Sequence, residues 1–123
     1  MRGHTMTLDE LFAGHDESRL IYEAVAGAVS EAGPAEVRVS KSQVAFRRRT
    51  GFAYVWMPEM YLRPGDVPLV LTVGLRRRDG SPRWKQVVEP APGRFTHHLE
   101  LRAAGDVDDE VRAWVREAWS GAV

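Results

Sequence analysis

"KSQVAFRRRTGFAYVW", Lys41 to Trp56, sets three arginines and a Thr-Gly pair between two apolar runs rich in aromatic residues. The alternation on either side reads as a β-hairpin. Its turn decides which side chains share a face, because a one-residue change of register exchanges the two faces of a strand. Two turns compete. A two-residue Thr50-Gly51 loop puts Arg47 and Arg49 beside Phe52, Tyr54 and Trp56, a basic aromatic platform of the kind that stacks bases. A three-residue loop, Arg49-Thr50-Gly51, sets Gly51 at the left-handed position of a type I turn with a bulge. Thr50 is β-branched and resists the positive φ that the shorter loop demands, so the longer loop is the expectation. It gathers Val44, Phe46, Phe52, Tyr54 and Trp56 toward the core with Arg48 at the rim. Gln43, Arg47 and Ala53 then take the other face.

Outward from the hairpin, the chain divides cleanly. Thr7-Leu8-Asp9-Glu10 is a capping-box pattern that opens a short helix ending near Gly14. A second helix is expected from Asp16 to Ala32, with Leu20, Ile21, Ala24, Val25, Ala28 and Val29 at three- and four-residue spacing, stopped by Gly33-Pro34. Glu36 to Ser40, Gln43 to Arg48 and Phe52 to Met57 read as strands, followed by a Pro58–Pro68 loop with a Pro64-Gly65-Asp66 turn. Leu69 to Leu75 and Arg94 to Arg102 are two more strands. Between them, Arg76 to Gly93 reads as a long loop with one helical turn around Pro82 to Val88, since Ser81-Pro82 suits an N-cap followed by the first helical position. The last helix starts from Asp106 as N-cap, with Val107, Val111, Trp114, Val115 and Ala118 as its apolar stripe. Strands in one consecutive run imply an antiparallel sheet of about five strands, backed on one face by two N-terminal helices and one C-terminal helix, class α+β.

The 123 residues, 44% of them hydrophobic, suit one α+β domain over residues 1–123 with a loose tail at 1–6. There is no cysteine, so disulfides and thiolate metal sites are excluded. No signal-peptide pattern or long apolar run occurs, and a soluble cytoplasmic protein is the expectation. The formal net charge is zero, yet the charges are segregated. Residues 1–37 hold two arginines against seven acids, residues 38–102 thirteen Lys/Arg against five acids, and residues 103–123 two arginines against five acids. A basic middle between acidic ends argues against DNA binding by overall field but leaves room for a local anion site.

The face opposite the helices is expected to collect Arg38, Gln43, Arg47, Thr72, Arg94, His98, Glu100 and Arg102. An antiparallel sheet with one wet face would carry such charges anyway. Arginine forks suit carboxylate and phosphate, which makes the same face a candidate anion surface. Its ligand-binding candidates are Arg47, Arg94, His98 and Arg102, with Trp84 either a loop anchor tucked onto the core or a lid over the cationic face. His97 and His98 are adjacent on a strand and point to opposite faces, so they do not share a metal. His97 reads as a satisfied buried histidine. His98 and Glu100 are the only candidate acid/base pair, and a third metal ligand is not evident. No nucleophile elbow, phosphate loop or dinucleotide fingerprint occurs, so no cofactor is implied.

Three stretches together, "KSQVAFRRRTGFAYVW", "SPRWKQVVEPAPGRFTHHLELR" and "DVDDEVRAWVREAW", resemble a small bacterial family of domains of unknown function, sometimes labelled predicted transport proteins and distantly similar to YdhG-like α+β domains. The resemblance covers nearly the whole chain from Thr7. It implies the fold class and transfers no catalytic role. The leading expectation is a non-enzymatic domain that binds an anionic small molecule or an acidic protein segment. A nucleic-acid-associated accessory domain and a small hydrolase or transferase using His98 and Glu100 are the alternatives.

Overall fold

The structure is a computed structural model and describes residues 6–58 and 67–123. The expected tail, apart from Met6, and the Pro64-Gly65-Asp66 turn lie outside the described residues. The class is α+β, as expected. Helix α1 (Leu8–Leu11) and helix α2 (Asp16–Ala32) are followed by strands β1 (Glu36–Val39), β2 (Val44–Arg47), β3 (Gly51–Trp56), β4 (Leu69–Leu75), β5 (Gln86–Ala91) and β6 (Arg94–Leu101). A 3-10 turn, Ala104–Asp106, leads into helix α3 (Asp109–Gly121). The six strands form one antiparallel sheet in the order β1-β2-β3-β4-β6-β5.

The helix boundaries follow from capping chemistry. Thr7 and Glu10 exchange the two hydrogen bonds of a capping box, Glu10 N to Thr7 Oγ1 at 3.1 Å and Thr7 N to Glu10 Oε1 at 2.9 Å. Helix α3 is capped by Asp108, whose Oδ1 accepts from Val111 N at 3.1 Å. The expected cap, Asp106, sits two residues earlier, at the end of the 3-10 turn, and accepts from the backbone of Arg102 and Ala103. Gly33 ends α2 at φ 153°, ψ −175°, a region almost reserved for glycine. A side chain there would also run into the Trp119 ring, whose Nε1 donates to Pro34 O at 2.8 Å. One residue thus stops α2 and receives the end of α3.

The sheet departs from expectation in two places. Gln86 to Ala91 is a strand, not part of a loop with a helical turn, so the sheet has six strands. It lies at the sheet edge, where Pro90 costs no ladder bond on the solvent side. In the hairpin, Arg47 pairs with Gly51 and Phe46 with Ala53, so Phe52 is the extra residue of a bulge. Phe52 and Ala53 are both buried, and from Ala53 onward the alternation is reversed from the expected one. Val44, Phe46, Ala53 and Val55 face the helices, while Ala45 lies opposite Tyr54 on the other face together with Trp56. The expected placement of Tyr54 and Trp56 in the core and Ala53 outside is therefore wrong. Arg47 shares the open face with both aromatics. Gly51 does not supply a left-handed φ, since positive φ occurs at Gly14, Gly33 and Gly93 among the described residues. Its role is to make room, because a Cβ on Gly51 would collide with the Tyr54 ring.

Helices α2 and α3 pack on one face of the sheet over Leu69, Leu71, Val73, Leu99 and Leu101, all 3% exposed or less. Trp114 on α3 meets Trp84 at a centroid distance of 4.1 Å, and Trp84 lies 4.8 Å from the His97 ring. Trp84 is thus the loop anchor and not a lid. It is 9% exposed and its Nε1 donates to Asp79 Oδ2 at 2.8 Å. Among the described residues no helix is long and apolar enough to cross a membrane.

Trp114→Ala is predicted to cost about 3–5 kcal/mol, because it empties the contact that also seats Trp84. Chemical denaturation measures this. A midpoint that hardly moves would show that the indole pair contributes little to the core.

Candidate functional site

Four arginines of the cationic middle of the chain, Arg48, Arg76, Arg77 and Arg83, hold α3. Arg77 forms a two-pronged pair with Glu117, 2.8 Å on each prong, and a third bond of 2.9 Å to Asp79. Arg83 binds Asp108 at 3.1 Å and Glu110 at 2.8 Å. Arg48 lies over the Trp119 ring at 3.7 Å and donates to Trp119 O, and Arg76 donates twice to Gly121 O at 3.1 and 2.7 Å. The last two neutralise the negative end of the α3 dipole and cover carbonyls that a helix end leaves open. The basic segment and the acidic C-terminal segment are therefore complementary partners within one fold.

The open face holds the remaining candidates. Arg47 sits 3.9 Å from Glu36, Arg38 3.2 Å from Glu36, and Arg102 3.3 Å from Glu100. Arg94 and Arg102 lie at opposite ends of one edge-ward strand, roughly 26 Å apart at the usual rise per residue. They do not converge on one ligand. His98 lies midway between them. Its Nδ1 is 2.8 Å from Thr72 Oγ1, which also accepts from Trp56 Nε1 at 3.1 Å. The Trp56 ring stands edge-on to the His98 ring at 6.4 Å. Trp56, Thr72 and His98 form a polar chain over the middle of the sheet, while Glu100 is held by Arg102. Among the described residues no three His, Asp or Glu side chains gather as a metal-ligand set.

At one end of this face is a cleft of about 370 Å³. It lies where the β2–β3 turn, the β5–β6 hairpin and the C-terminus of α3 meet. Gly74 is its floor. Glycine in a central strand leaves no side chain between Thr96, its cross-strand partner, and Tyr54, whose ring leans back over Gly51. Thr50, Tyr54 and Thr96 bring hydroxyls to the wall, and Phe52, Leu75 and Phe95 bring apolar surface. Arg76 and Arg94 are its cations. Glu117 also lines it, but Arg77 compensates that carboxylate. Arg94 makes no ion pair among the described residues.

Of the residues expected from sequence, Arg94 lines the cleft, whereas Arg47, His98 and Arg102 stand elsewhere on the open face and Trp84 is under the sheet. Thr72 links the cleft to His98, because it lines the cleft and bonds the imidazole. Gly74, Tyr54, Thr96 and Arg76 were missed. The signal for Gly74 was present, since a lone glycine inside a strand marks a close approach or a gap.

The chain belongs to the DUF5655 family, described as a domain of unknown function, which matches residues 8–121. No curated protein and no solved structure matches it.

His97 and His98 are both held below the ordinary imidazole value by burial. His97 is 0% exposed. Its Nε2 accepts from Asp79 N at 3.0 Å and its Nδ1 lies 3.1 Å from Phe95 O, an arrangement that suits the neutral ring. The unfolded chain takes up these protons near pH 6.5 and the folded chain only lower. Their contribution to stability is therefore complete above pH 6.5 and is lost as the pH falls below it. Urea midpoints are predicted to drop between pH 7.5 and 5.5, and to drop less in His98→Asn. A midpoint that rises on acidification contradicts the assignment.

Proposed function

We propose that this protein binds a small anionic ligand, bearing a carboxylate or a phosphate, in the cleft at Arg94. The observation that carries the reading is an arginine without an ion-pair partner among the described residues, at the mouth of a cleft with three hydroxyl-bearing walls. The size falls within the range of small-molecule sites, and an apolar lining with a few polar groups is their usual composition. The cleft is net cationic because Arg77 compensates Glu117. A nucleic-acid role is less well supported. Arg38, Arg47 and Arg102 face carboxylates, so the described cations of the open face form no continuous unpaired row to follow a phosphate backbone. An acid/base role for His98 and Glu100 would need Glu100 released from Arg102.

The test is a thermal-shift screen of phosphate, simple and aromatic carboxylates, nucleotides, phosphosugars and short oligonucleotides at two salt concentrations. Arg94→Glu removes the cation with little effect on the fold, since it anchors nothing. Gly74→Val fills the floor, and its first carbon meets only ordinary contact with Phe52 O, 3.9 Å away. Its stability is predicted to stay within about 1 kcal/mol of wild type. A small anion is expected to raise the wild-type melting temperature and neither variant's. If no small anion shifts the wild type, or Arg94→Glu responds as wild type does, the cleft reading fails. An oligonucleotide response that collapses with salt would replace it with the nucleic-acid reading.

A further inference from the structure

The two edges of the sheet are built differently. At β5, Pro90 removes a backbone donor and the register slips between Val88 and Ala91, so that edge offers no continuous ladder. At β1, residues Glu36–Val39 pair with β2 in regular register, with no proline and no bulge. Ser40 N donates to Gln43 O at 2.9 Å, which fixes the phase of the ladder. Antiparallel pairing alternates, so Arg38 and Glu36 also direct their backbone groups at β2, whereas Val37 and Val39 direct theirs away from it. Since β1 ends the strand order, those outward groups have no strand partner among the described residues.

The side chains add a second condition. Val37 is 46% exposed beside a shallow groove lined by Ala26, Pro34, Ala35 and Phe46. Glu36 and Arg38 flank it on the other face, with opposite charges.

We infer that β1 pairs with β1 of a second copy about a two-fold axis through Val37, continuing the sheet across a homodimer. This register alone satisfies all three features. A two-fold axis at a hydrogen-bonded pair needs a residue whose N–H and C=O point outward, and Val37 is one. It places Val37 against Val37 of the second copy, over the two grooves. It also places Glu36 opposite Arg38 of the second copy, and the reverse, giving two cross-strand pairs of opposite charge. A register centred on Arg38 would set Val37 against Val39, which the outward backbone groups also allow, but it would place Arg38 against itself and lose both opposite-charge pairs.

Sedimentation velocity over a concentration series tests this. The wild type is expected to dimerise by about 200 µM. Val37→Pro removes an outward N–H that β2 does not use and is expected to sediment as a monomer with unchanged circular dichroism. Glu36→Arg sets arginine against arginine and is expected to weaken the dimer about tenfold. The exchange E36R/R38E restores opposite charges in this register and is expected to recover the wild-type affinity. If Val37→Pro fails to fold, the charge exchange decides. A wild type that stays monomeric at every concentration, a dimer indifferent to these variants, or an exchange variant as weak as Glu36→Arg overturns the inference.

Discussion

The bulge at Phe52 is the constraint on which the open face depends. Phe52 adds one residue to β3 opposite β2, so Phe52 and Ala53 both enter the core and the alternation restarts with Tyr54 outside. Without the extra residue, Tyr54 and Trp56 would join Phe46 under the helices. With it, Trp56 reaches Thr72 and Tyr54 leans over Gly51 to wall the cleft. A bulge beside a turn also increases local twist, which suits a site at the end of a sheet.

Charge supplies the second level of organisation. Four arginines of the basic segment that looks like a binding surface in the sequence are engaged by α3, Arg77 with Glu117, Arg83 with Asp108 and Glu110, and Arg48 and Arg76 on the last carbonyls. Exposed pairs of this kind contribute little singly, but the two-pronged Arg77–Glu117 pair and the arginines on the helix end fix where α3 stops. That position brings Glu117 and Gly121 to the cleft and ties Arg76 to the Gly121 carbonyl, while Arg94 makes no ion pair among the described residues.

Much of the frame was legible in the sequence. The capping box at Thr7, the 3.6-residue pattern of α2 apart from Leu20, which is 60% exposed, the stop at Gly33 and the buried His97 all depend on local chemistry, and each is observed. The errors occur where a distant partner decides. β5 contains Pro90 and is flanked by Pro92 and Gly93, which locally favour a loop; the free edge of β6 makes it a strand. The faces of β3 depended on one inserted residue that no period can reveal, because Phe52, Tyr54 and Trp56 alternate perfectly in the sequence. Asp106 and Asp108 are equally good caps by type, and the 3-10 turn before α3 chose the second. Of the candidate site, Arg94 was legible as a cation, but its availability was not, since that depends on which carboxylates reach its neighbours.

The central claim is that the cleft at Arg94 is the anion site of this fold. An amide and arginine side-chain NMR titration with phosphate and with a small carboxylate tests it most directly. The account predicts saturable shifts that cluster at Gly74, Tyr54, Thr96 and the Arg94 side chain, with Arg38, Arg47 and Arg102 unmoved. Weak, unsaturating shifts spread over all the exposed arginines, or none in the cleft, would contradict it.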